Sequence, residues 1–195
     1  MRILTYNKFI TEKLFKYESF NFYDPVKNAV WNYVAGYTVV ELNKALRQNK
    51  KSKELDNMCK LIDSAMEKSN KGILYRVVDW EYLQNIYNIY KDNLDNMLFG
   101  KFTAKAYTST TKESKNIWEN MFSDNEVFME ISYDKSINCI DINKMFKRNE
   151  IDCWDQKEML LQRNLNFTIT GYQMLDNKGR IDKKGKIYML FVKIL

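Results

Sequence analysis

The spacing of apolar residues changes near residue 72, and this change constrains the fold more than any other feature of the chain. Before residue 72, apolar side chains recur three and four positions apart, as they do in amphipathic helices. After it, short continuous or alternating apolar runs predominate, as they do in strands. Helices followed by many short strands predict an α+β fold with antiparallel-rich sheets, because a parallel sheet would require helices between the strands.

Four helices are predicted before residue 95. The first begins after Asp24, because Asp is a good N-cap and Pro25 fits the first helical turn, and it extends to Val34. The second has apolar positions at Val39, Leu42 and Leu46, and the fourth covers residues 82–94. The third helix has its apolar positions at Leu55, Met58, Leu61, Ile62 and Ala65.

Strands are predicted over residues 73–78, 102–109, 125–133, 137–142, 158–161, 167–174 and 187–195. The last two flank residues 176–186, where Gly179 and Gly185 favour a long hairpin turn. The chain shows no repeat and no linker. We therefore expect a single domain over residues 1–195, with residues 1–71 mainly helical and residues 72–195 mainly β.

The absence of histidine excludes much enzyme chemistry. Without imidazole there is no Ser-His-Asp or Cys-His nucleophile, no histidine-ligated metal site and no histidine acid or base. The three cysteines, Cys59, Cys139 and Cys153, lack CxxC spacing, which argues against a zinc site or a disulfide framework and favours a reducing compartment. An enzyme of this composition must use carboxylates, Tyr, Lys, Cys or a bound cofactor, and we expect no metal.

Charge and hydropathy limit the partners. Lys and Arg number 31 and Asp and Glu number 25, which gives a net charge of +6 that is spread along the chain. Only residues 48–54 and 177–186 are locally basic, so charge alone leaves nucleic-acid binding as a minor alternative. The sequence has no secretory apolar segment and no apolar run of membrane-spanning length, and we expect a soluble chain.

Two polar segments interrupt predicted strands. Arg76 lies within the apolar run LYRVV, where a guanidinium needs an anionic partner or a path to solvent. Ser109, Thr110 and Thr111 end another strand, and Thr110 with Glu113 fits the capping box of a helix over residues 112–122. An outward-facing edge arginine and a helix cap would explain these residues without any function.

A third polar segment, DQKEMLL at residues 155–161, lies where a loop becomes a strand. Period-two alternation predicts that Gln156 and Glu158 lie on one face and Lys157 on the other. An amide and a carboxylate side by side could hold two hydroxyl-bearing or amide-bearing groups together. Polar residues leading out of a loop are the structural alternative.

In this order, the three segments resemble the arginine–serine–glutamate signature of the bacterial mono-ADP-ribosyltransferases, the toxin-like exoenzyme family. The family's aromatic-Arg strand, S-T-S strand and Glu/Gln-x-Glu motif correspond to Tyr75-Arg76, Ser109-Thr110-Thr111 and Gln156-Lys157-Glu158. The resemblance covers residues 37–195, because a Tyr followed by N-x-x-L-R before the first strand is also matched. Those residues here are Tyr37, Asn43, Leu46 and Arg47.

This sequence departs from the family pattern at several positions. Val77 follows the strand arginine where Gly or Ala is usual, and Thr111 replaces the second Ser. Gln156 is similar to the glutamine of the clostridial Rho-inactivating exoenzymes, whose acceptor is an asparagine, whereas arginine-modifying members have Glu there. Trp154 is the candidate for the aromatic residue that contributes to acceptor recognition in the preceding turn.

The resemblance implies the ADP-ribosyltransferase toxin fold, in which N-terminal helices pack on a core of two antiparallel-rich sheets. It also implies that the nicotinamide–ribose bond of NAD+ is cleaved and that ADP-ribose passes to an acceptor, with NAD+ hydrolysis as a side reaction and no metal. Glu158 would stabilise the positive charge at the ribose and Ser109 would orient it, while Gln156 would hold the acceptor. The remaining NAD+ contacts would come from Arg76, Arg47, Asn43, Tyr37 and Thr110.

The acceptor stays open. An asparagine of a small GTPase is favoured, and the alternatives are a guanine base or other nucleic-acid acceptor, an arginine, or no acceptor if the protein is a non-catalytic binding module. We expect a monomer without affinity for membranes. Its place of action would be a cytosol, either of a host cell that receives a secreted toxin or of the producing cell, as for phage-encoded transferases.

Overall fold

The computed structural model describes residues 22–35, 38–115, 125–151, 155–176 and 187–195. The helices are α1 (Pro25–Val34), α2 (Val39–Arg47), α3 (Lys53–Ser64), α4 (Trp80–Tyr87), α5 (Leu94–Met97) and α6 (Ile142–Met145). The strands are β1 (Glu67–Ser69), β2 (Gly72–Asp79), β3 (Lys101–Ala104), β4 (Thr108–Thr111), β5 (Glu126–Tyr133), β6 (Ile137–Asp141), β7 (Glu158–Leu161), β8 (Leu165–Leu175) and β9 (Ile187–Ile194). The α+β class is confirmed.

The strands form one hydrogen-bonded sheet in the order β1-β6-β7-β4-β2-β5-β9-β8-β3. Every neighbouring pair is antiparallel except β5 and β9. The sheet has a four-stranded half that ends at β4 and a five-stranded half that begins at β2, and one register pair, Tyr75 with Thr111, joins them. The predicted two sheets are therefore linked at one point, which places the strand of Arg76 beside the strand of Ser109.

Two apolar clusters hold the sheet and the helices together. The first packs α1, α2 and α3 on the four-stranded half, and the second lies against the five-stranded half and α4. Strand β7 contributes to both, because Leu160 belongs to the first cluster while Met159 and Leu161 belong to the second. A strand segment that packs against apolar clusters on both faces is apolar, which explains the run MLL that follows Glu158.

The starts of the first and third helices follow from their capping residues. Asp24 Oδ1 accepts hydrogen bonds from the backbone amides of Val26 (2.8 Å) and Lys27 (3.3 Å), as its position before Pro25 predicts. Ser52 Oγ accepts one from the amide of Leu55 at 3.1 Å and begins α3. These helices fix the position of α2, which carries Asn43 and Arg47.

Two predicted elements are each divided in the structure. The helix predicted over residues 82–94 ends at Tyr87, because Asn88 adopts the left-handed backbone (φ 56°), and a short 3-10 turn then leads to α5. The strand predicted over residues 102–109 is divided into β3 and β4, which pair with β8 and β7 respectively. Apolar spacing does not reveal such breaks, because side chains on both sides of them remain buried.

Some predictions fall outside the described residues. The hairpin turn over 176–186 and the helix over 112–122 lie largely there, although β8 and β9 pair antiparallel on either side of the turn, up to Leu175 with Ile187. None of the described helices combines the length and the apolar character that crossing a membrane requires.

Gly72 at the start of β2 provides a test of how closely the sheet is packed. A Cβ at this position would lie 2.7 Å from the hydroxyl oxygen of Tyr133, which is hydrogen bonded to Ser69 Oγ at 2.8 Å. We expect Gly72→Ala to lower the free energy of unfolding by about 1–3 kcal/mol, because the ring must move to admit the methyl group. Urea denaturation measures this. Gly171→Ala is the matched control, since its Cβ would meet Phe191 at an ordinary 3.6 Å, and equal stabilities would contradict the packing argument.

Candidate active site

The junction between the two halves of the sheet brings the predicted segments side by side. Tyr75 pairs with Thr111 across β2 and β4, and Thr111 pairs with Glu158 across β4 and β7. Residues that are directly opposed in neighbouring strands project to the same face of the sheet, so Thr111 and Glu158 share a face. Ser109 precedes Thr111 by two residues in β4 and therefore lies on this face as well. The strands that carry Arg76, the hydroxyl residues and the carboxylate are thus consecutive in the sheet.

Glu158 and Gln156 lie in different environments. Glu158 is the first residue of β7 and is 8% exposed, whereas Gln156 is exposed in the turn before it. The predicted alternation does not extend to Gln156, because Lys157 adopts the left-handed backbone (φ 51°) and the strand begins only after it. The structure therefore separates an enclosed carboxylate from an amide that faces solvent.

Thr111 holds the turn that precedes Glu158. Its Oγ1 donates a hydrogen bond to the backbone oxygen of Gln156 at 2.5 Å and accepts one from the amide of Glu113 at 3.2 Å. The amide of Lys112 also donates to the carbonyl of Lys157 at 3.3 Å. Thr111 thus ties the end of β4 to the segment that carries Gln156.

Thr110 makes a backbone contact that the sequence did not predict. Its Oγ1 donates to the backbone oxygen of Met159 at 2.8 Å, and the residue is 5% exposed on the face opposite to Glu158. This contact stabilises the pairing of β4 with β7. The capping box with Glu113 is therefore not formed, since Thr111 makes the contact to that amide, and the geometry gives no support to an NAD+ contact by Thr110.

Arg47 and Arg76 meet at the ring of Tyr82. The guanidinium carbons lie 5.3 Å and 5.2 Å from the ring centroid, and Arg47 Nη2 donates a hydrogen bond to the Tyr82 hydroxyl at 3.3 Å. Both distances are within the range of cation–π attraction. Sequence reasoning missed Tyr82, because an aromatic residue at a helical spacing is indistinguishable from a core residue.

The pKa of Tyr82 reports the electrostatic potential at this point. Burial acts to raise it, but the charge of Arg76, a hydrogen bond with Tyr87 and the charge of Arg47 outweigh burial, and the net pKa is below the usual value for tyrosine. The pKa of Tyr87 is raised by burial and by Tyr82. A half-buried phenol with a lowered pKa indicates a local potential that favours an anion.

A second tyrosine, Tyr33, connects α1 to the same site. Asn43 Nδ2 donates to the Tyr33 hydroxyl at 2.7 Å. Burial chiefly raises the pKa of Tyr33, while the charges of Arg76, Glu158 and Arg47 also act on it. The charges of groups from α2, β2 and β7 therefore all act on one tyrosine, which sequence reasoning missed for the same reason as Tyr82.

Asn43 presents an unused acceptor at this site. The residue is 7% exposed, and its Oδ1 has no hydrogen-bond partner among the described atoms. A buried polar atom without a partner costs free energy unless a ligand or water satisfies it. The arrangement of Asn43, two guanidiniums and a carboxylate thus fits a ligand that has both anionic groups and hydrogen-bond donors.

The structure accounts for seven of the nine predicted site residues. Arg47 and Arg76 both contact the ring of Tyr82, Asn43 bonds Tyr33, and the charges of Arg47, Arg76 and Glu158 all act on Tyr33. Ser109 pairs with Leu160 of β7 and lies on the same face as Glu158. Gln156 lies in the adjoining turn, and Thr110 lies on the other face. Tyr37 and Trp154 lie outside the described residues.

Comparison with protein families identifies the family of this chain. The model of the ADP-ribosyltransferase exoenzymes matches residues 8–190, which is nearly the whole chain. The chain belongs to the ADP-ribosyltransferase exoenzyme family. A search of curated protein sequences gives no significant match to this transferase.

Solved structures support the fold of the transferase. An ADP-ribosyltransferase toxin from Paenibacillus larvae, Plx2a, is similar with a TM-score of 0.66 at 17% identity over 97% of this chain and 94% of that one. An ADP-ribosyltransferase from Clostridium botulinum gives 0.63 at 20% identity, with 95% of this chain and 90% of that one covered. The C3 exoenzyme of Clostridium limosum gives 0.62 at 17% identity, with 97% and 92% covered.

Loss of the Thr111 hydroxyl should loosen the turn before Glu158. In Thr111→Val, the amide of Glu113 loses its acceptor and the carbonyl of Gln156 loses a donor, so we expect amide hydrogen exchange at Lys112 and Glu113 to become about 5–10-fold faster, which corresponds to about 1 kcal/mol for a hydrogen bond. Thr103→Val is the matched control, because it removes a hydroxyl that bonds Asn166 in the remote strand β3. Unchanged exchange in the Thr111 variant would show that the turn does not depend on it.

Proposed function

We propose that this transferase moves ADP-ribose from NAD+ to an asparagine side chain of a protein acceptor, with a small GTPase as the favoured acceptor. The observation that carries the proposal is the contact of both Arg47 and Arg76 with the ring of Tyr82, with the buried carboxylate of Glu158 two strands away from Arg76 and the exposed amide of Gln156 two residues before that carboxylate. The family supplies the reaction class, and the acceptor is inferred from Gln156.

Arg47 and Arg76 suit the diphosphate of NAD+. A guanidinium can donate two parallel hydrogen bonds to phosphate oxygens, and these two come from different elements and meet at Tyr82. The lowered pKa of Tyr82 supports this role, because the potential that favours a phenolate also favours a phosphate. Asn43 Oδ1 would accept a hydrogen bond from a donor on the dinucleotide.

Glu158 would act on the ribose. The bond between the ribose C1′ and the nicotinamide nitrogen breaks, the electron pair leaves with nicotinamide, and positive charge develops on the ribose. An ionised carboxylate stabilises that charge, and its effect is strong at a site that is only 8% exposed, where water screens it little. The acceptor nitrogen then bonds to C1′ and releases a proton to water. When water is the acceptor, the outcome is NAD+ hydrolysis.

Gln156 would hold the acceptor. A primary amide offers one acceptor oxygen and two donor hydrogens, so it can pair with the amide of an asparagine in both directions. Its exposure suits contact with a macromolecule, and Thr111 fixes the turn that carries it. We place this reaction in a cytosol, either of a host cell or of the producing cell.

Variants of Glu158 and Gln156 should distinguish the cleavage of NAD+ from the binding of the acceptor. Glu158→Ala is expected to reduce both transfer and NAD+ hydrolysis by about 100-fold or more, because the charge on the ribose loses its stabilising group. Gln156→Ala is expected to lose transfer and to keep hydrolysis within about threefold, because uniform loss of acceptor binding leaves the donor step unchanged. Labelled NAD+ with protein or nucleic-acid acceptors, followed by mass spectrometry, measures both activities and identifies the modified group.

The control for these variants is Glu67→Ala, which removes an exposed carboxylate from the edge strand β1. Transfer at the wild-type rate by the Glu158 variant would refute the site. Equal loss of transfer and hydrolysis in the Gln156 variant would refute the role of Gln156 with the acceptor. Transfer of the label to nucleic acid and not to protein would show that the acceptor is a nucleic acid.

Arg76→Lys tests the diphosphate contact. An ammonium group cannot make the forked contact of a guanidinium, so we expect the dissociation constant for NAD+ to rise about tenfold in calorimetry. Arg163→Lys is the matched control, because Arg163 also packs on a tyrosine ring, at 5.5 Å from the centroid of Tyr107, and pairs with Asp63. Equal affinities of the Arg76 variant and the wild type would contradict the assignment.

A further inference from the structure

Tyr82 contacts arginine side chains from two separate elements, α2 and β2. Arg47 is the last residue of α2 and Arg76 is in the middle of β2, and the ring of Tyr82 from α4 contacts both guanidiniums. Its hydroxyl also accepts the hydrogen bond from Arg47. We propose that Tyr82 is a positioning residue, which sets the spacing of the two arginines for the diphosphate of NAD+; this inference rests on the proposed function.

The ring of Tyr82 is held firmly enough to serve as a reference point. Asp79 Oδ1 accepts a hydrogen bond from the Tyr82 amide at 2.5 Å and begins α4, and the neighbouring Leu83 is fully buried. The ring packs edge-on against Tyr87 with a centroid distance of 5.8 Å. This contact continues through Phe102, at 4.8 Å from Tyr87, to Phe167 in β8, at 5.4 Å from Phe102. A row of rings therefore anchors Tyr82 to the five-stranded half of the sheet.

A neutral partner is what an anion-binding pair of arginines requires. Two guanidiniums that approach each other repel, and a carboxylate between them would relieve the repulsion but would also compete with the phosphate oxygens. The ion pairs found within the described ranges include neither Arg47 nor Arg76. The aromatic face attracts both cations, and the hydroxyl oxygen accepts a hydrogen bond from Arg47. Neither contact neutralises a cation, so the charge of both remains available to the ligand.

The effect of this arrangement should be confined to binding. The ring contacts both arginines and Tyr87, and its hydroxyl bonds Arg47, so its contacts are with the groups that would hold the diphosphate and with the packing behind them. Preorganised arginines lower the cost of binding NAD+, whereas the step at Glu158 takes place after binding. A residue with this role changes KM and the dissociation constant for NAD+ and leaves kcat nearly unchanged.

Graded variants of Tyr82 test this role. Tyr82→Phe keeps the ring and loses the hydroxyl, and its dissociation constant for NAD+ is expected to rise about 2–3-fold. Tyr82→Leu loses the ring as well, and the rise is expected to be about tenfold, with kcat within about threefold of the wild type. Calorimetry with NAD+ and steady-state kinetics measure both quantities, and thermal unfolding checks that each variant is folded.

Tyr188→Leu is the matched control. Tyr188 also holds a cation over its ring, with Lys91 Nζ at 4.9 Å, and packs edge-on against Trp80 at 5.2 Å. Its replacement removes the same kind of contact away from both arginines, so NAD+ affinity should not change. Affinity of Tyr82→Leu equal to the wild type, or a fall in kcat at constant KM, would overturn the proposal. If Tyr82→Leu does not fold, unchanged affinity of Tyr82→Phe would overturn it.

A second probe separates this inference from the proposed function. Inorganic pyrophosphate carries the diphosphate without the ribose, so its affinity should fall in the same order in the Tyr82 variants. If pyrophosphate affinity falls from the wild type to Tyr82→Phe and again to Tyr82→Leu, but the wild type does not bind NAD+, the proposed function fails and the role of Tyr82 stands. If the wild type binds NAD+ and the Tyr82 variants bind both probes equally well, the role of Tyr82 fails and the proposed function stands.

Discussion

The single register pair between Tyr75 and Thr111 is the contact on which the site depends. The four-stranded half carries the hydroxyl residues and Glu158, and the five-stranded half carries Arg76. Because the halves meet at one pair and not along a full ladder, each can twist in its own direction while the two meet at this point. Strand β7 can be buried on both faces only because helices cover one face and the second apolar cluster covers the other.

A pair of arginines that takes part in none of the ion pairs of the described residues is the second constraint. Two guanidiniums share a tyrosine ring, and the phenol they surround has a lowered pKa even though burial opposes the shift. If stability were the only requirement, a carboxylate between Arg47 and Arg76 would relieve the repulsion of the two guanidiniums better than a tyrosine ring does. The ring that both arginines contact is held in place by a row of aromatic side chains, and this row is part of the packing of α4 against the sheet. Its members are Tyr82, Tyr87, Phe102 and Phe167. The packing of one helix thus determines the electrostatics of a ligand site.

The sequence predicted the fold class and most of the elements, and it singled out the segments that lie side by side at the candidate site, because apolar periodicity and short polar motifs are local properties. It did not predict the break at Asn88, the division between β3 and β4, or the left-handed Lys157, since these depend on backbone conformations that several residue types can adopt. Tyr33 and Tyr82 were missed because their roles arise from contacts across long separations. The hydrogen bond from Arg47 to Tyr82, for example, joins residues 35 positions apart.

The left-handed backbone at Lys157 has an evolutionary consequence. It ends the regular strand on the amino-terminal side of Glu158, so Gln156 contributes no side chain to the sheet and no contact to its apolar clusters. A replacement at position 156 therefore leaves the register of β7 and the burial of the carboxylate intact. Under the proposed function, a single substitution at position 156 would change the acceptor that is recognised, while the buried carboxylate that would act on the dinucleotide is retained.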